Sequence, residues 1–180
     1  MEIIVILFIV LVILLSVLKM YNDFIKLKNK IKQSESGIDV YLNQRFDLIP
    51  NLVECVKAYT KYETETLDKI VELRNSYNQN NGLDLEKATE LNNNINKILV
   101  VAENYPELKS SEQYLNLQKN LSKVESQLQA ARRIYNNDVT NYNTKIDTVP
   151  ANIIATIFGF KKADLFQIEE YKKENINIEL

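Results

Sequence analysis

The first positions of the chain differ in pattern from everything that follows them. Residues Ile3–Leu18 carry no charge and only one hydroxyl group. A helix rises about 1.5 Å per residue, so this run spans about 24 Å of a hydrocarbon core that is about 30 Å thick. Met1 at one end, and Met20 with Tyr21 at the other, extend the run to the required length. The pattern predicts a transmembrane anchor over residues 1–21.

A cleaved signal peptide is the alternative interpretation of this run. Such a peptide has a basic beginning, a shorter apolar stretch and small residues at its cleavage site. Here Glu2 is the only early charged side chain, and the sequence after Leu18 reads KMYNDF. An uncleaved anchor therefore fits better. Five lysines follow it: Lys19, Lys26, Lys28, Lys30 and Lys32. Because the cytoplasmic side of a membrane collects basic residues, we expect a single-pass protein of the cell membrane whose bulk is cytoplasmic.

Beyond the anchor, apolar residues recur at steps of three or four, which places them on one face of a helix. The longest stripe predicts a helix over residues 111–147 and consists of Tyr114, Leu117, Leu121, Val124, Leu128, Ala131, Tyr135, Val139, Tyr142 and Ile146. A second stripe predicts a helix over residues 48–78 and consists of Leu52, Val56, Tyr59, Leu67, Ile70 and Tyr77. A shorter stripe predicts a helix over residues 84–104, after a stretch NQNNGLD with turn chemistry. Ser110 with Gln113 forms a capping-box pattern, and Asp47 is the expected N-cap of the helix over 48–78.

Residues 22–46 carry a sparser apolar stripe and no proline. Gly37 is their only glycine, and a glycine inside a helix costs about 1 kcal/mol, too little to force a break. The anchor should therefore continue directly into the first soluble helix. Four long helices with short connections predict an all-α fold, an antiparallel up-and-down four-helix bundle over residues 22–149. Residues 150–180 form a C-terminal segment that we expect to pack on the bundle or on the membrane surface, and its end, residues 167–180, matches no pattern.

Composition narrows the possible functions. The chain has 22 basic and 24 acidic residues, so it lacks the excess positive charge of a nucleic-acid-binding protein. It contains no histidine. The chain therefore cannot form a Ser-His-Asp or Cys-His nucleophilic site, or a di-iron site with Glu-x-x-His ligands. Glycine-rich phosphate-binding strings are also absent. We therefore expect no enzyme activity, no cofactor and no nucleic-acid partner.

Carboxylates remain as candidates for metal binding. On the helix over 48–78, acidic residues lie close together with lysines between them: Glu63, Glu65, Asp68 and Glu72 with Lys61 and Lys69. Such mixing of charge is typical of a solvated helix face, which we favour over a metal site. The lone cysteine, Cys55, borders the apolar stripe, and we expect a small buried side chain rather than a reactive thiol.

Three separated strings carry a resemblance to a known family. They read RFDLIPNLVECVKAY from Arg45, ENYPELKSSEQYLNLQ from Glu103 and AARRIYNNDVTNYN from Ala130. In this order, behind an N-terminal anchor, they resemble the LemA family of bacterial membrane proteins, and the resemblance extends to about Phe166. It implies a single membrane span and a cytoplasmic helical bundle of undefined biochemical role. It supplies no catalytic residues.

Two motif-rich connections form a candidate interaction site. In an up-and-down bundle, the segments RFDLIPN and ENYPELKSS both lie at the membrane-distal tip. Helix caps and tight turns explain them structurally. The alternative is a docking surface for a protein partner, since aromatic and arginine side chains often anchor interfaces. Its residues are Arg45, Asn51, Tyr105, Glu107 and Lys109.

The strings IYN and NYN, at residues 134–136 and 141–143, place two tyrosines seven positions apart on one helix face. Each tyrosine precedes an asparagine, Asn136 or Asn143. Asparagines at the edge of an apolar stripe commonly hydrogen-bond across a helix pair and set its register. We favour this role over ligand recognition.

The segment ANIIATIFGFKK, residues 151–162, has an apolar body followed by two lysines. This composition suits a helix lying in the membrane interface. Packing across the open end of the bundle is the alternative, and the sequence leaves both open.

Two classes of function remain, and both include the lipid bilayer as a partner. The first is a membrane-anchored interaction or scaffold module that presents its tip to an unidentified cytoplasmic protein. The second is a structural or membrane-organising protein that self-associates into a homo-oligomer through exposed stripes.

Overall fold

The computed structural model describes residues 1–59, 64–78 and 84–166. Every regular element within these ranges is a helix, so the predicted all-α class is confirmed. The helices are α1 (Glu2–Phe46), α2 (Ile49–Tyr59), α3 (Thr64–Asn78), α4 (Leu85–Glu103), α5 (Pro106–Ser110), α6 (Glu112–Asp147) and α7 (Ala151–Phe158). Two sequence predictions, the turn within residues 78–84 and the tail 167–180, lie wholly or largely outside the described residues.

Helix α1 confirms that the apolar run continues without a break into a soluble helix. Its first part is exposed along its whole length, for example at Leu7 and Phe8, which are 64% and 65% exposed. Among the described residues, this is the one helix long and apolar enough to cross a membrane. A Cβ at Gly37 would meet no atom within 4 Å, so this glycine marks neither a bend nor a close contact.

The chain forms two compact units. Unit 1 comprises residues 1–32 and 132–180, and unit 2 comprises residues 33–131. Unit 1 therefore holds the apolar start of α1, the last part of α6 and all of α7. Unit 2 holds the remainder of α1 and α6 together with α2, α3, α4 and α5.

The core of unit 1 forms where α7 packs against α1 and α6. Its buried members are Phe24, Ile31, Val139, Tyr142, Ala151, Ile154 and Ala155. Helix α7 ends at Gly159, whose φ of 72° is left-handed and is adopted without steric cost by glycine. The Phe160 N–H then donates to the Ala155 carbonyl at 2.9 Å, which closes the helix end. The chain continues without helical structure through Phe166.

The core of unit 2 follows the predicted stripes closely. Buried side chains come from α1 to α6, and they include Ile38, Leu42, Phe46, Leu52, Val56, Leu67, Ile70, Tyr77, Leu91, Ile95, Ile98, Leu108, Tyr114, Leu121 and Leu128. Tyr59 is the exception among the residues predicted for the second stripe, since it is 42% exposed in the last turn of α2. Helices α2 and α3 both lie within the helix predicted for residues 48–78, and residues 60–63 between them lie outside the described ranges.

Two predicted helix starts were wrong in detail. Helix α6 begins at Glu112, and its cap is Ser111, whose hydroxyl oxygen accepts the Tyr114 N–H at 3.3 Å. The Ser110 hydroxyl instead donates to a carbonyl within α5, a short helix that the sequence pattern did not predict. Asp47 lies in the turn one residue before the cap position of α2. Its carboxylate pairs with a side chain of α3, a role for which capping rules give no signal.

Candidate interaction site

Arg45, the first residue of the RFD string, is engaged inside unit 2. It lies in the last turn of α1, and its side chain is only 11% exposed. Its Nη1 donates to the Glu125 carboxylate on α6. Burial lowers the pKa of Arg45, and the charge of Glu125 opposes that shift. The guanidinium is thus committed to an internal ion pair at the edge of an open groove that also includes Leu99 and Ser122.

The next two residues of the string, Phe46 and Asp47, also have internal partners. Phe46 is completely buried, and its ring meets the Tyr77 ring edge-on with centroids 5.0 Å apart. The Asp47 carboxylate accepts a hydrogen bond from Arg74 Nη2. Since Arg74 and Tyr77 both belong to α3, the RFD string attaches the end of α1 to α3 and, through Arg45, to α6.

Tyr77 adds a polar contact to this junction. Its hydroxyl donates to Asp39 Oδ1 on α1 at 3.0 Å, while the residue as a whole is 2% exposed. Burial raises the pKa of Tyr77 well above its ordinary value, and the Asp39 carboxylate raises it further. The phenol is therefore held in its neutral, donating form.

Asn51 lies on the exposed side of α2 and lines a groove of about 450 Å³ between α2 and the start of α6. We call it the amide groove and define it by Asn51, Cys55, Gln113, Asn116, Leu117 and Asn120. Four of these side chains carry an amide, which both donates and accepts hydrogen bonds. Leu48, Cys55 and Ala58 supply apolar surface beside them, and Glu54 adds one carboxylate to the lining. This combination is suited to a polypeptide whose backbone needs both donors and acceptors.

Tyr105, Glu107 and Lys109 lie on the connection after α4 and on α5. Tyr105 is half-buried, Glu107 and Lys109 are exposed, and Leu108 between them is completely buried and fixes α5 in place. Helix α5 contacts α2, so the structure brings these three residues onto an element adjacent to that of Asn51. Of the five residues predicted for a docking surface, Arg45 has its guanidinium turned to an internal partner.

Two smaller predictions concern the chemistry of α2 and α3. Cys55 is half-buried, and burial together with Glu54 raises the pKa of its thiol, so the unreactive thiol form is favoured. Asp68 pairs with Lys57 Nζ at 2.6 Å, with both side chains partly exposed. In the described ranges no three His, Cys, Asp or Glu side chains gather where they could hold a metal ion. Glu63 lies outside these ranges.

The asparagines of the IYN and NYN strings bind the chain's own C-terminal segment, so the expected contact across a helix pair was wrong. We call residues 160–166 the strap. Asn143 Nδ2 donates to the Ala163 carbonyl at 2.9 Å, and its Oδ1 accepts the Ala163 N–H at 3.0 Å. Asn136 makes the same pair of bonds with Phe166, at 3.0 Å and 2.7 Å. Each amide therefore satisfies both backbone groups of one strap residue.

The spacing of the two asparagines explains this arrangement. Seven residues of helix advance about 10.5 Å, at about 1.5 Å per residue. Three residues of extended chain advance about 10 Å. Asn136 and Asn143 on α6 thus match the separation of Ala163 and Phe166 in the strap, which runs antiparallel to α6. No local sequence signal identifies this match, because it depends on two segments that the fold brings together.

Aromatic contacts hold the two ends of the strap. Phe160 stacks on Phe24 with ring centroids 4.8 Å apart. At the other end, the Arg132 guanidinium lies 5.0 Å from the centre of the Phe166 ring, and the Tyr135 hydroxyl donates to the Asp164 carbonyl at 3.2 Å. The strap is therefore a specific part of unit 1, joined to α6 by both backbone and ring contacts.

Asp138 is a buried charged residue that the sequence patterns do not single out. It is 2% exposed and pairs with Lys30 Nζ of α1 at 2.9 Å. Lys30 is one of the lysines on which the predicted orientation depends. Part of the positive charge after the anchor therefore stabilises the contact between α1 and α6.

Comparison with known proteins places the chain among its relatives. A model of the LemA family matches residues 34–180. The chain is 23% identical over 180 aligned positions to Magnetosome protein MamQ 2 of Paramagnetospirillum magneticum, covering 84% of this chain and 66% of that protein. It is 26% identical over 160 positions to Protein LemA of Metamycoplasma hominis, covering 87% and 73%. The chain thus spans just under two thirds of the length of the MamQ relative. Since the family model covers most of its residues and the RFD, α5 and IYN strings lie within that match, the chain belongs to the LemA family.

Proposed function

We propose that this protein is a membrane-anchored interaction module, with α1 in the cell membrane and unit 2 binding a cytoplasmic protein. Membership of the LemA family and the apolar length of α1 support a membrane-associated protein. The cytoplasmic side follows from the lysines after the anchor. The observation that carries the binding role is the amide groove, where four exposed amide groups border an apolar strip beside α5.

The chemistry of the amide groove favours an extended segment of polypeptide as the occupant. In unit 1 of the same chain, Asn136 and Asn143 each pair with both backbone groups of one strap residue. The amides of Asn51, Gln113 and Asn116 offer the same donors and acceptors. Hydrogen bonds from these amides to the backbone of a partner would not depend on the partner's side chains. Specificity for one partner would then come from the neighbouring exposed charges, Glu107 and Lys109 on α5.

Arg45 has an indirect role in this proposal. Its guanidinium pairs with Glu125 and is nearly enclosed, so it holds the end of α1 rather than meeting a partner. Asn51, Tyr105, Glu107 and Lys109 remain as the residues for direct contact. Alanine at Arg45 would test the stability of unit 2, not partner binding.

Site-specific photo-crosslinking in cells tests the proposal. A photoreactive phenylalanine analogue is introduced into the full chain at Asn51 or Asn116 in the amide groove, or at Lys123 as the control. Lys123 is an exposed residue of α6 that does not line the amide groove. We expect a discrete adduct with one other protein at both groove positions and none at Lys123.

The remaining outcomes contradict the proposal in different ways. Absence of adducts at Asn51 and Asn116, or equal adducts at Lys123, shows that the amide groove is not a binding site. An adduct with the mass of two copies of this chain favours the self-associating alternative. As a further check, Asn116→Ala should reduce the yield of the Asn51 adduct, because it removes one hydrogen-bonding amide without altering the buried core.

A further inference from the structure

Helix α7 has apolar residues on two opposite sides. Its inner side, Ala151, Ile154 and Ala155, is at most 8% exposed and packs in the core of unit 1. Its outer side carries Ile153 and Ile157, four residues apart and 56% and 69% exposed. Val149, two residues before the helix, is 79% exposed. A helix that faces water on its outer side carries polar residues there, and a contiguous exposed apolar patch marks an interaction surface.

The contacts of α7 place it at one level along α1. Its last residue, Phe158, meets the Tyr21 ring edge-on with centroids 5.0 Å apart. Val17 and Met20 of α1 pack against the same core as Ile154. A spanning helix needs about 20 apolar residues to cross the hydrocarbon core. The uncharged run Ile3–Leu18, extended by Met20, is close to that length, so a membrane crossed by α1 would have the boundary of its hydrocarbon core near Tyr21, at the level of α7.

The polar residues around α7 suit the same level. Lys161 follows α7 and is exposed, and Lys19 is exposed on α1 two residues before Tyr21. Lysines at this depth extend their ammonium groups to lipid headgroups. Tyr21 is an aromatic residue of the kind that concentrates at membrane interfaces. The exposed outer side of α7 thus lies at the level along α1 where Tyr21 and two exposed lysines are found, and where Asp147 pairs with Lys162.

We infer that α7 is an interfacial helix whose outer side, Ile153 and Ile157, inserts together with the preceding Val149 into the headgroup region of the membrane that α1 crosses. The sequence presents packing and membrane contact as alternatives for residues 151–162. In this arrangement α7 makes both contacts, on two opposite sides of the helix. The bilayer would hold unit 1 at two points, the end of α1 and the side of α7. This inference rests on the anchoring by α1 in the proposed function.

Fluorescent labelling of single cysteines in the full chain tests the inference. In a Cys55→Ala background, cysteine replaces Ile157, Ile134 or Leu7 and is labelled with an environment-sensitive dye. Ile134 is the matched control, since it is an isoleucine of unit 1 and 57% exposed. It lies one turn before Asp138, which pairs with Lys30. Lys30 is nine residues beyond Tyr21, about 13 Å further along α1. Leu7 reports on the anchor.

The labelled chains are reconstituted into vesicles of phosphatidylcholine and phosphatidylglycerol and exposed to two quenchers. Brominated lipid quenches a dye that touches lipid, and iodide quenches a dye that faces water. We expect the dye at position 157 to resemble the dye at position 7, with strong lipid quenching and loss of most iodide quenching. The dye at position 134 should show the reverse.

Each other outcome has a defined meaning. A dye at position 157 that iodide quenches as strongly as at position 134 shows that α7 faces water, and the inference is wrong. A dye there that neither quencher reaches shows that protein covers α7, which also overturns it. Lack of lipid quenching at position 7 refutes the anchor itself, and with it the proposed function. A cysteine at Ile153 repeats the measurement one turn away, so a local defect at position 157 does not decide the result.

Discussion

The pairing of Asn143 with the strap can be tested quantitatively by replacing this asparagine with alanine. The substitution removes two hydrogen bonds to Ala163. A net contribution of about 1 kcal/mol for each hydrogen bond gives a loss of about 2 kcal/mol in the free energy of opening the strap. Since about 1.4 kcal/mol corresponds to a tenfold change in an equilibrium constant, the open state should become about 30-fold more populated.

Hydrogen exchange measures this change directly. When reclosing is faster than the chemical step, the exchange rate of a protected amide follows the population of the open state. The full chain in detergent micelles is exchanged into deuterated buffer, and a peptide that covers the strap is analysed by mass spectrometry. The Ala163 amide should exchange about 30-fold faster in Asn143→Ala than in the wild type. The Phe166 amide should change less, because Asn136 still holds it.

Asn141→Ala is the matched control for this measurement. Asn141 is an exposed asparagine on the same helix, two residues from Asn143. A surface substitution of this kind changes stability by at most about 0.5 kcal/mol. Equal exchange at Ala163 in the two variants would refute the assignment of Asn143 to the strap. Asn143→Asp adds a check, because its carboxylate keeps an acceptor for the Ala163 N–H but repels the Ala163 carbonyl, so the strap should loosen at neutral pH.

Two further predictions concern the junction at the end of α1. Arg45→Met leaves the Glu125 carboxylate without its partner. We expect urea denaturation to show a loss of about 2 kcal/mol in the free energy of unfolding. This loss is smaller than for a fully buried pair because Glu125 is partly exposed. Arg45→Met with Glu125→Leu should recover most of that loss, and no recovery would contradict the assigned role of the pair. Tyr77→Phe tests the buried phenol. Burial and the Asp39 carboxylate raise the pKa of Tyr77. The folded chain therefore keeps a phenol proton that the unfolded chain loses above about pH 10. The wild type should therefore lose up to about 1.4 kcal/mol of stability per pH unit above that pH, and Tyr77→Phe should lose less, while equal pH slopes would contradict the shift.

Periodicity predicted most of the helical core because the spacing of apolar residues along one segment indicates both that a helix forms and which of its sides is buried. The stripes over residues 48–78, 84–104 and 111–147 correspond to side chains that the structure buries, apart from Tyr59, which is exposed, and Val124, Tyr135 and Ile146, which are partly buried. The continuity of α1 was predictable because residues 19–46 contain no proline and only one glycine. The helix starts were less predictable, since Ser110 and Ser111 are both suitable caps and only the position of α5 decides between them.

The polar residues of the candidate site were harder to predict for a different reason. Arginine is a residue type that often anchors interfaces. Arg45 nevertheless pairs with Glu125, eighty positions later. A sequence pattern gives no measure of the distance between such residues. Asn51, Glu107 and Lys109 are exposed within the described ranges, and their positions beside one another depend on the packing of α2 with α5.

The sequence alone therefore determined the helical class, the apolar anchor and the buried side of each long helix, because these follow from spacing along one segment. The tertiary structure decided what each buried side meets and which polar groups pair. It assigned the RFD string to the junction of α1 with α3 and α6, and the two asparagines of α6 to the strap. It also gave α7 a packed side and an exposed apolar side. These outcomes depend on distances between segments far apart in the chain, and hydrogen bonds and ion pairs form only when such distances fall within a few ångströms.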